Sequence, residues 1–352
     1  MGLHGEGIGG VIFLALYSVN FSLLMFGFFT RRISIKSVYA FLLFHVLLRL
    51  GAQSVAVALG TQKRLNENLL IAFFVLGAEG YFSLVLCTYR FLIHHHQHVY
   101  PVDGSWLEGK PQKSKDPWYK RLRRALTART ADGKKDPWVM TIIHWTLIWA
   151  NTIIIVGGTR ATGTDVNSVN FWKRLHDSEI MRAVGQAVFL AINVLLAVFL
   201  YLSARQDRNP QGTLPRGWSH FLRVERDHGA TDAANRQHTP QKISPDLLVL
   251  MVAWPPLVIR GIFGLLQALV PKINYSNPQA YASLSGFTRL FTAMENVFAV
   301  LPEWLACCLL CTTMFAKPHH HLVHHKQDRP DHERLESNPV ATEVFSNEQS
   351  KA

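Results

Sequence analysis

Residues 69–93 read LLIAFFVLGAEGYFSLVLCTYRFLI, in which only Glu79 and Arg90 carry charge and no proline interrupts. At 1.5 Å per residue a helix of this length reaches about 37 Å, enough to cross the roughly 30 Å hydrocarbon core of a bilayer. Six further apolar stretches flank it, at 8–29, 38–59, 139–156, 180–204, 247–270 and 284–316. The last is the longest and is expected to tilt or kink. The chain is therefore predicted to be an all-α polytopic membrane protein, a seven-transmembrane helix bundle occupying 1–325, with a polar tail at 326–352 expected to be disordered.

The loops between these stretches fix the expected orientation. The sequence holds 36 Lys and Arg. Counted alternately by loop, 25 fall in the first, third and fifth connections and the C-terminal tail, and 6 fall in the second, fourth and sixth. The positive-inside rule then predicts an outer N-terminus and a cytosolic C-terminus, which requires an odd number of spans. Met1 to Gly7 has no Lys or Arg, so a cleaved signal peptide is not expected and the first span is read as retained. All four cysteines, Cys87, Cys307, Cys308 and Cys311, fall inside predicted spans, so no disulfide framework is expected. The basic excess is explained by topology, and nucleic acid is not an expected partner. The expected location is a plasma or endomembrane.

The bilayer itself is the first expected partner. In the third connection, KDPWYKRLRRALTART starts at Lys115 with an Asp-Pro helix opening. Lys120, Arg121, Arg123 and Arg124 surround an apolar stripe, a pattern that suits a helix lying on anionic inner-leaflet lipids. Asp136 and Pro137 open the fourth span in the same way, and Ser244, Pro245 and Asp246 open the sixth. The fifth connection is polar and is expected to be flexible.

Charged groups at mid-span are expensive in hydrocarbon and are expected to face the bundle interior. Six are candidates: Arg49, Glu79, Arg260, Arg289, Glu295 and Glu303. Depth suggests their pairing. Arg49 lies about 16 Å and Glu79 about 21 Å from the cytosolic ends of their spans, while Arg260 and Glu303 lie level. Two pairs are therefore predicted, Arg49 with Glu79 and Arg260 with Glu303, with Glu295 nearer the outer face. His45, Arg49 and Gln53 recur every four residues on one helix face. Interhelical hydrogen bonding and a hydrated ligand cavity both account for such polar residues. On the second account, His45, Arg49, Gln53, Glu79, Arg260, Glu295 and Glu303 are the candidate binding residues for a small ligand. Pro255, Pro256 and Pro302 would free backbone groups beside it. No cofactor is expected.

Two histidine clusters offer a metal alternative. His94 and His98 give HxxxH, and His321, His324 and His325 give HxxHH, spacings that resemble two boxes of membrane di-iron desaturases and hydroxylases. A third box is missing, since His220, His228 and His238 are widely spaced. Seven spans also resemble G-protein-coupled receptors, with Ala253, Trp254 and Pro256 similar to the tryptophan and proline element of the sixth receptor helix. The end of the third span, Cys87-Thr88-Tyr89-Arg90, departs from the receptor pattern.

The stretch LLIAFFVLGAEGYFSLVLCTYRFLIHHH of the third span, with FHVLLRLGAQ of the second, resembles an uncharacterised family of fungal seven-helix membrane proteins. That resemblance implies the fold and topology and no activity. The function expected from the residues is a receptor-like sensor with a small ligand in an intramembrane polar cavity. The alternatives are a lipid or small-solute transporter and a His-box di-iron membrane enzyme.

Overall fold

The structure, a computed structural model, describes residues 5–34, 37–62, 66–99, 107, 138–160, 170–208, 243–283 and 286–315. Seven helices long and apolar enough to cross a membrane run through them. They are α1 Gly5–Phe29, α2 Tyr39–Thr61, α3 Glu67–Val99, α4 Trp138–Arg160, α5 Phe171–Arg208, α6 Pro245–Leu269 and α7 Arg289–Thr312. The protein is an all-α, multi-pass membrane protein. Helices satisfy their backbone groups internally, which hydrocarbon demands. Their side chains are distributed accordingly: Ile8, Ile12, Val19 and Phe26 of α1 and Leu248, Val252 and Ile259 of α6 are exposed, toward lipid.

Consecutive helices pack side by side, α7 closes back on α1, and α3 also touches α5, α6 and α7. Helix α3 is thus the central strut. α1 and α2 meet closely at Gly7 and Gly60, where a Cβ on Gly60 would overlap the Gly7 backbone. Small residues of this kind let helix backbones meet where lipid offers no hydrophobic drive for association.

Three boundaries differ from the sequence expectation. α3 continues past Ile93 through the histidines to Val99, and α5 begins at Phe171 rather than at the apolar edge Ile180. The seventh span starts at Arg289, because the residues before it form a small antiparallel hairpin, β1 Tyr281–Ser283 with β2 Gly286–Phe287. Within α7 the expected irregularity is a π turn at Asn296–Val300. Pro302 has no N–H for the Phe298 carbonyl, so the hydrogen-bond ladder widens just upstream. α6 runs through Pro255 and Pro256 without ending.

The chain reverses at each connection, so the first residues of α1, α3, α5 and α7 share one side of the bundle with the hairpin. Here this is called the hairpin side. Glu6 of α1 accepts the Phe287 N–H at 2.6 Å, and Phe74 of α3 stacks on Tyr275 at 3.4 Å between ring centroids. Tyr281, Phe287 and Phe291 continue this aromatic layer across the hairpin side. Toward the other side the bundle fills with apolar side chains, among them Leu42, Leu84, Leu92, Leu196, Leu247 and Leu310.

Candidate functional site

Three deeply buried charged groups meet in the middle of the bundle. Glu303 of α7 is fully buried, and Arg49 of α2 and Arg260 of α6 are 3% and 5% exposed. Arg260 Nε donates to Glu303 Oε1 at 2.6 Å, and Arg49 Nη2 contacts Glu303 Oε2. One carboxylate therefore serves two guanidiniums. Arg260 meets the partner that its depth selects.

The expected Arg49–Glu79 pair is replaced. Glu79 instead accepts a hydrogen bond from Asn151 Nδ2 of α4 at 2.7 Å. Depth along a helix says nothing of direction around it, and adjacent residues point about 100° apart. Glu79 turns to α4, whereas its neighbour Gly80 faces α2. A Cβ on Gly80 would lie 2.5 Å from Arg49 Nε. The missing side chain lets the guanidinium pass α3 and reach α7, and Arg49 Nη2 also approaches the Gly77 carbonyl at 3.4 Å.

The remaining expected residues lie in different surroundings. His45 is buried, with Nδ1 3.0 Å from both the Gly80 carbonyl oxygen and Ser83 Oγ. Gln53 is buried, and Glu295 accepts from Gln267 Nε2 at 2.7 Å. Arg289, expected inside, is exposed where α7 begins, because the hairpin displaces the start of the helix. The His94 and His98 rings stack on each other at 4.0 Å, and His98 Nδ1 bonds the His94 carbonyl. Among the described residues no three His, Cys, Asp or Glu side chains converge as a metal site would require. His321, His324 and His325, the basic residues Lys120, Arg121, Arg123 and Arg124, and the tail from 326 lie outside the described residues.

Sequence reasoning missed Arg182. It lies just inside the apolar edge at Ile180, a depth at which an arginine reads as reaching for the interface. Because α5 begins at Phe171, Arg182 is an interior residue, 3% exposed. Its Nη1 donates to Asn274 Oδ1 at 2.6 Å, and its guanidinium carbon lies 3.7 Å from the centre of the Tyr275 ring. Asn274 Nδ2 in turn donates to Glu179 Oε1 at 2.9 Å. This asparagine, which opens an Asn-Tyr-Ser sequence, is fully buried and serves as the latch between α5 and the segment that carries the hairpin. Burial pushes the Tyr275 hydroxyl above its ordinary pKa while Arg182 pulls it down.

Between the triad and this latched segment lies a narrow, open-mouthed cavity of about 40 Å³. Its polar lining includes Arg49, Gln53, Gln186, Arg260, Gln267 and Glu295, with Phe73, Phe74 and Tyr275 as aromatic walls. A second, smaller hollow of about 20 Å³, between α1, α2 and α7, shares Gln53, Phe73, Glu295 and Val300 with it. Gly264 of α6 makes room for two of the lining side chains. A Cβ there would lie 2.5 Å from Gln186 Oε1 and 3.2 Å from Arg260 Nη1, so both atoms converge on the space that glycine leaves.

Four atoms of the lining residues are buried without a hydrogen-bond partner among the described residues: Arg49 Nε, Arg260 Nη1, Gln53 Nε2 and Gln186 Oε1. An unmet buried donor is costly, about 1–3 kcal/mol and more for a charged group. Comparisons with protein-family models, curated proteins and solved structures return no match. The functional reading rests on this geometry.

Proposed function

We propose that the protein is a receptor-like sensor that holds a small polar ligand in the cavity between the Arg49–Glu303–Arg260 triad and the hairpin segment. The unpartnered donors and acceptor around an open cavity are the observation that carries this reading. Cavities lined by aromatics with a few convergent polar groups are the usual form of small-molecule sites. The triad joins α2, α6 and α7, so a ligand that alters it bears on three helices at once. Helix α7 contains an irregular turn at Asn296–Val300 and α6 carries Pro255 and Pro256 within it, places where a helix bends most readily. The charge bias of the loops supports an outward-facing hairpin and cytosolic basic connections. The chain also fits the fungal seven-helix family that its second and third spans resemble.

The test is a thermal-shift screen of the full chain in non-ionic maltoside micelles. The panel comprises water-soluble carboxylates, phosphates, amines and sugars, and compounds that stabilise are then followed for flux into proteoliposomes. Saturable stabilisation is expected, about 2.7 kcal/mol at a hundredfold excess over Kd, with no protein-dependent flux. Saturable flux of the bound compound, abolished by Gln267→Leu, would make the protein a carrier and overturn the sensor reading.

A further inference from the structure

The side chains around the cavity are not evenly divided between donors and acceptors, and this bears on the class of ligand. Arg49, Arg182 and Arg260 line it against a single carboxylate, Glu295, with Glu303 beneath. Glu295 already accepts from Gln267, and Glu303 is shared by two arginines. The nearby carboxylates Glu79 and Glu179 turn away to Asn151 and Asn274 and do not line the space. Three of the four unmet atoms are donors, and two of those belong to guanidiniums.

We propose that this cavity recognises a carboxylate or phosphate group, which docks against Arg49 Nε, Arg260 Nη1 and Gln53 Nε2. The inference rests on the small-ligand reading above and names the chemistry of its ligand. Each of the three atoms belongs to a side chain at least nine-tenths buried, so the anion leaves water for a place where charge-assisted hydrogen bonds are strong. Arg49, Arg182 and Arg260 face two carboxylates, Glu295 in the lining and Glu303 beneath it, which leaves one positive charge in excess. An arriving anion balances it, whereas an ammonium group would meet two arginines at close range and find both nearby carboxylates engaged. The aromatic walls Phe73 and Phe74 suit an apolar body attached to that anion. The anionic group can belong to a soluble compound or to a lipid headgroup, since both present the same oxygens.

The experiment uses the full chain in maltoside micelles at constant ionic strength. The probes are inorganic phosphate and butyrate, the uncharged butyramide, the cationic butylamine, and phosphatidic acid mixed into the micelle. Phosphate or butyrate is expected to raise Tm saturably, with butyramide and butylamine without effect. Gln53→Met removes one donor without changing charge and is expected to weaken the midpoint roughly ten- to hundredfold. Arg49→Lys keeps the charge beside Glu303 but loses the Nε donor, and a similar loss is expected. If Arg49→Lys does not fold, Gln53→Met carries the comparison alone. Saturable stabilisation by phosphatidic acid alone, weakened by Gln53→Met, assigns the anion to a lipid and supports the proposal. Stabilisation by butylamine or butyramide with none by any anion overturns the anionic class and leaves the small-ligand reading intact. A flat response to every anion also overturns it, and the wider screen then decides the small-ligand reading separately.

Discussion

The hairpin side and the opposite side of this bundle are built on different terms. Toward the opposite side, leucines from successive helices close-pack, with Leu42, Leu84, Leu92, Leu196 and Leu247 almost completely buried, and the buried polar groups there partner one another, His96 with Ser203 and His95 with Asp207. Toward the hairpin, the interior holds three arginines, three glutamines and a cavity whose lining is not fully hydrogen-bonded. A bilayer makes the second arrangement expensive. The packed side can therefore supply cohesion while the hairpin side keeps polar groups in reserve. The triad lies where the two regimes meet, and Glu303 alone keeps two cations tolerable there.

Substitutions can break or sharpen this contrast, and the largest effect should come at the boundary. Glu303→Gln leaves Arg49 and Arg260 without their shared counter-charge, an expected loss of about 3–5 kcal/mol. The measurement is Tm and the yield of monodisperse protein in detergent, and both are expected to fall more than for any other single substitution here. Within the packed side, Leu196→Ala should cost about 2–3 kcal/mol through lost contacts. Its ligand midpoint should match wild type, because the residue does not touch the cavity. Gly80→Ala places a methyl group against Arg49 and should cost about 1–3 kcal/mol. Unlike Leu196→Ala, it should also shift the ligand midpoint, which separates the two regions in one assay.

Smaller effects probe the cover of the cavity. Asn274→Leu removes the clasp between Arg182 and Glu179, at an expected cost of about 1–2 kcal/mol. Faster amide exchange confined to the segment after α6 is the expected sign, with the helices unchanged. Glu79→Gln should have the least effect, below about 1 kcal/mol, because a neutral amide still accepts from Asn151.

The sequence was informative where apolar length and charge bias decide, and silent where direction around a helix decides. Seven spans could be counted because each apolar run reaches bilayer thickness. The Arg260–Glu303 pair was legible because both residues sit level on neighbouring helices. Arg49 was assigned the wrong partner because Glu79 and Gly80 share a depth but not a face. The glycine was the available clue, since a small residue beside a buried arginine marks where the side chain can pass. Arg182 and Asn274 escaped notice for another reason. The polar first turns of α5 and the segment after α6 look like loop by composition, yet they fold back over the interior. Short polar connections carry no periodicity from which such a return can be read.

The central claim is that Glu303, and not Glu79, gathers the interior cations beneath the cavity. Double-mutant cycles on Tm-derived stability address it directly, pairing Arg49→Gln with Glu303→Gln and, separately, with Glu79→Gln. A coupling of about 2 kcal/mol or more between Arg49 and Glu303 is expected, with the double variant more stable than Glu303→Gln alone. Arg49 and Glu79 should be additive within about 0.5 kcal/mol. Strong coupling between Arg49 and Glu79, with none to Glu303, would contradict the account.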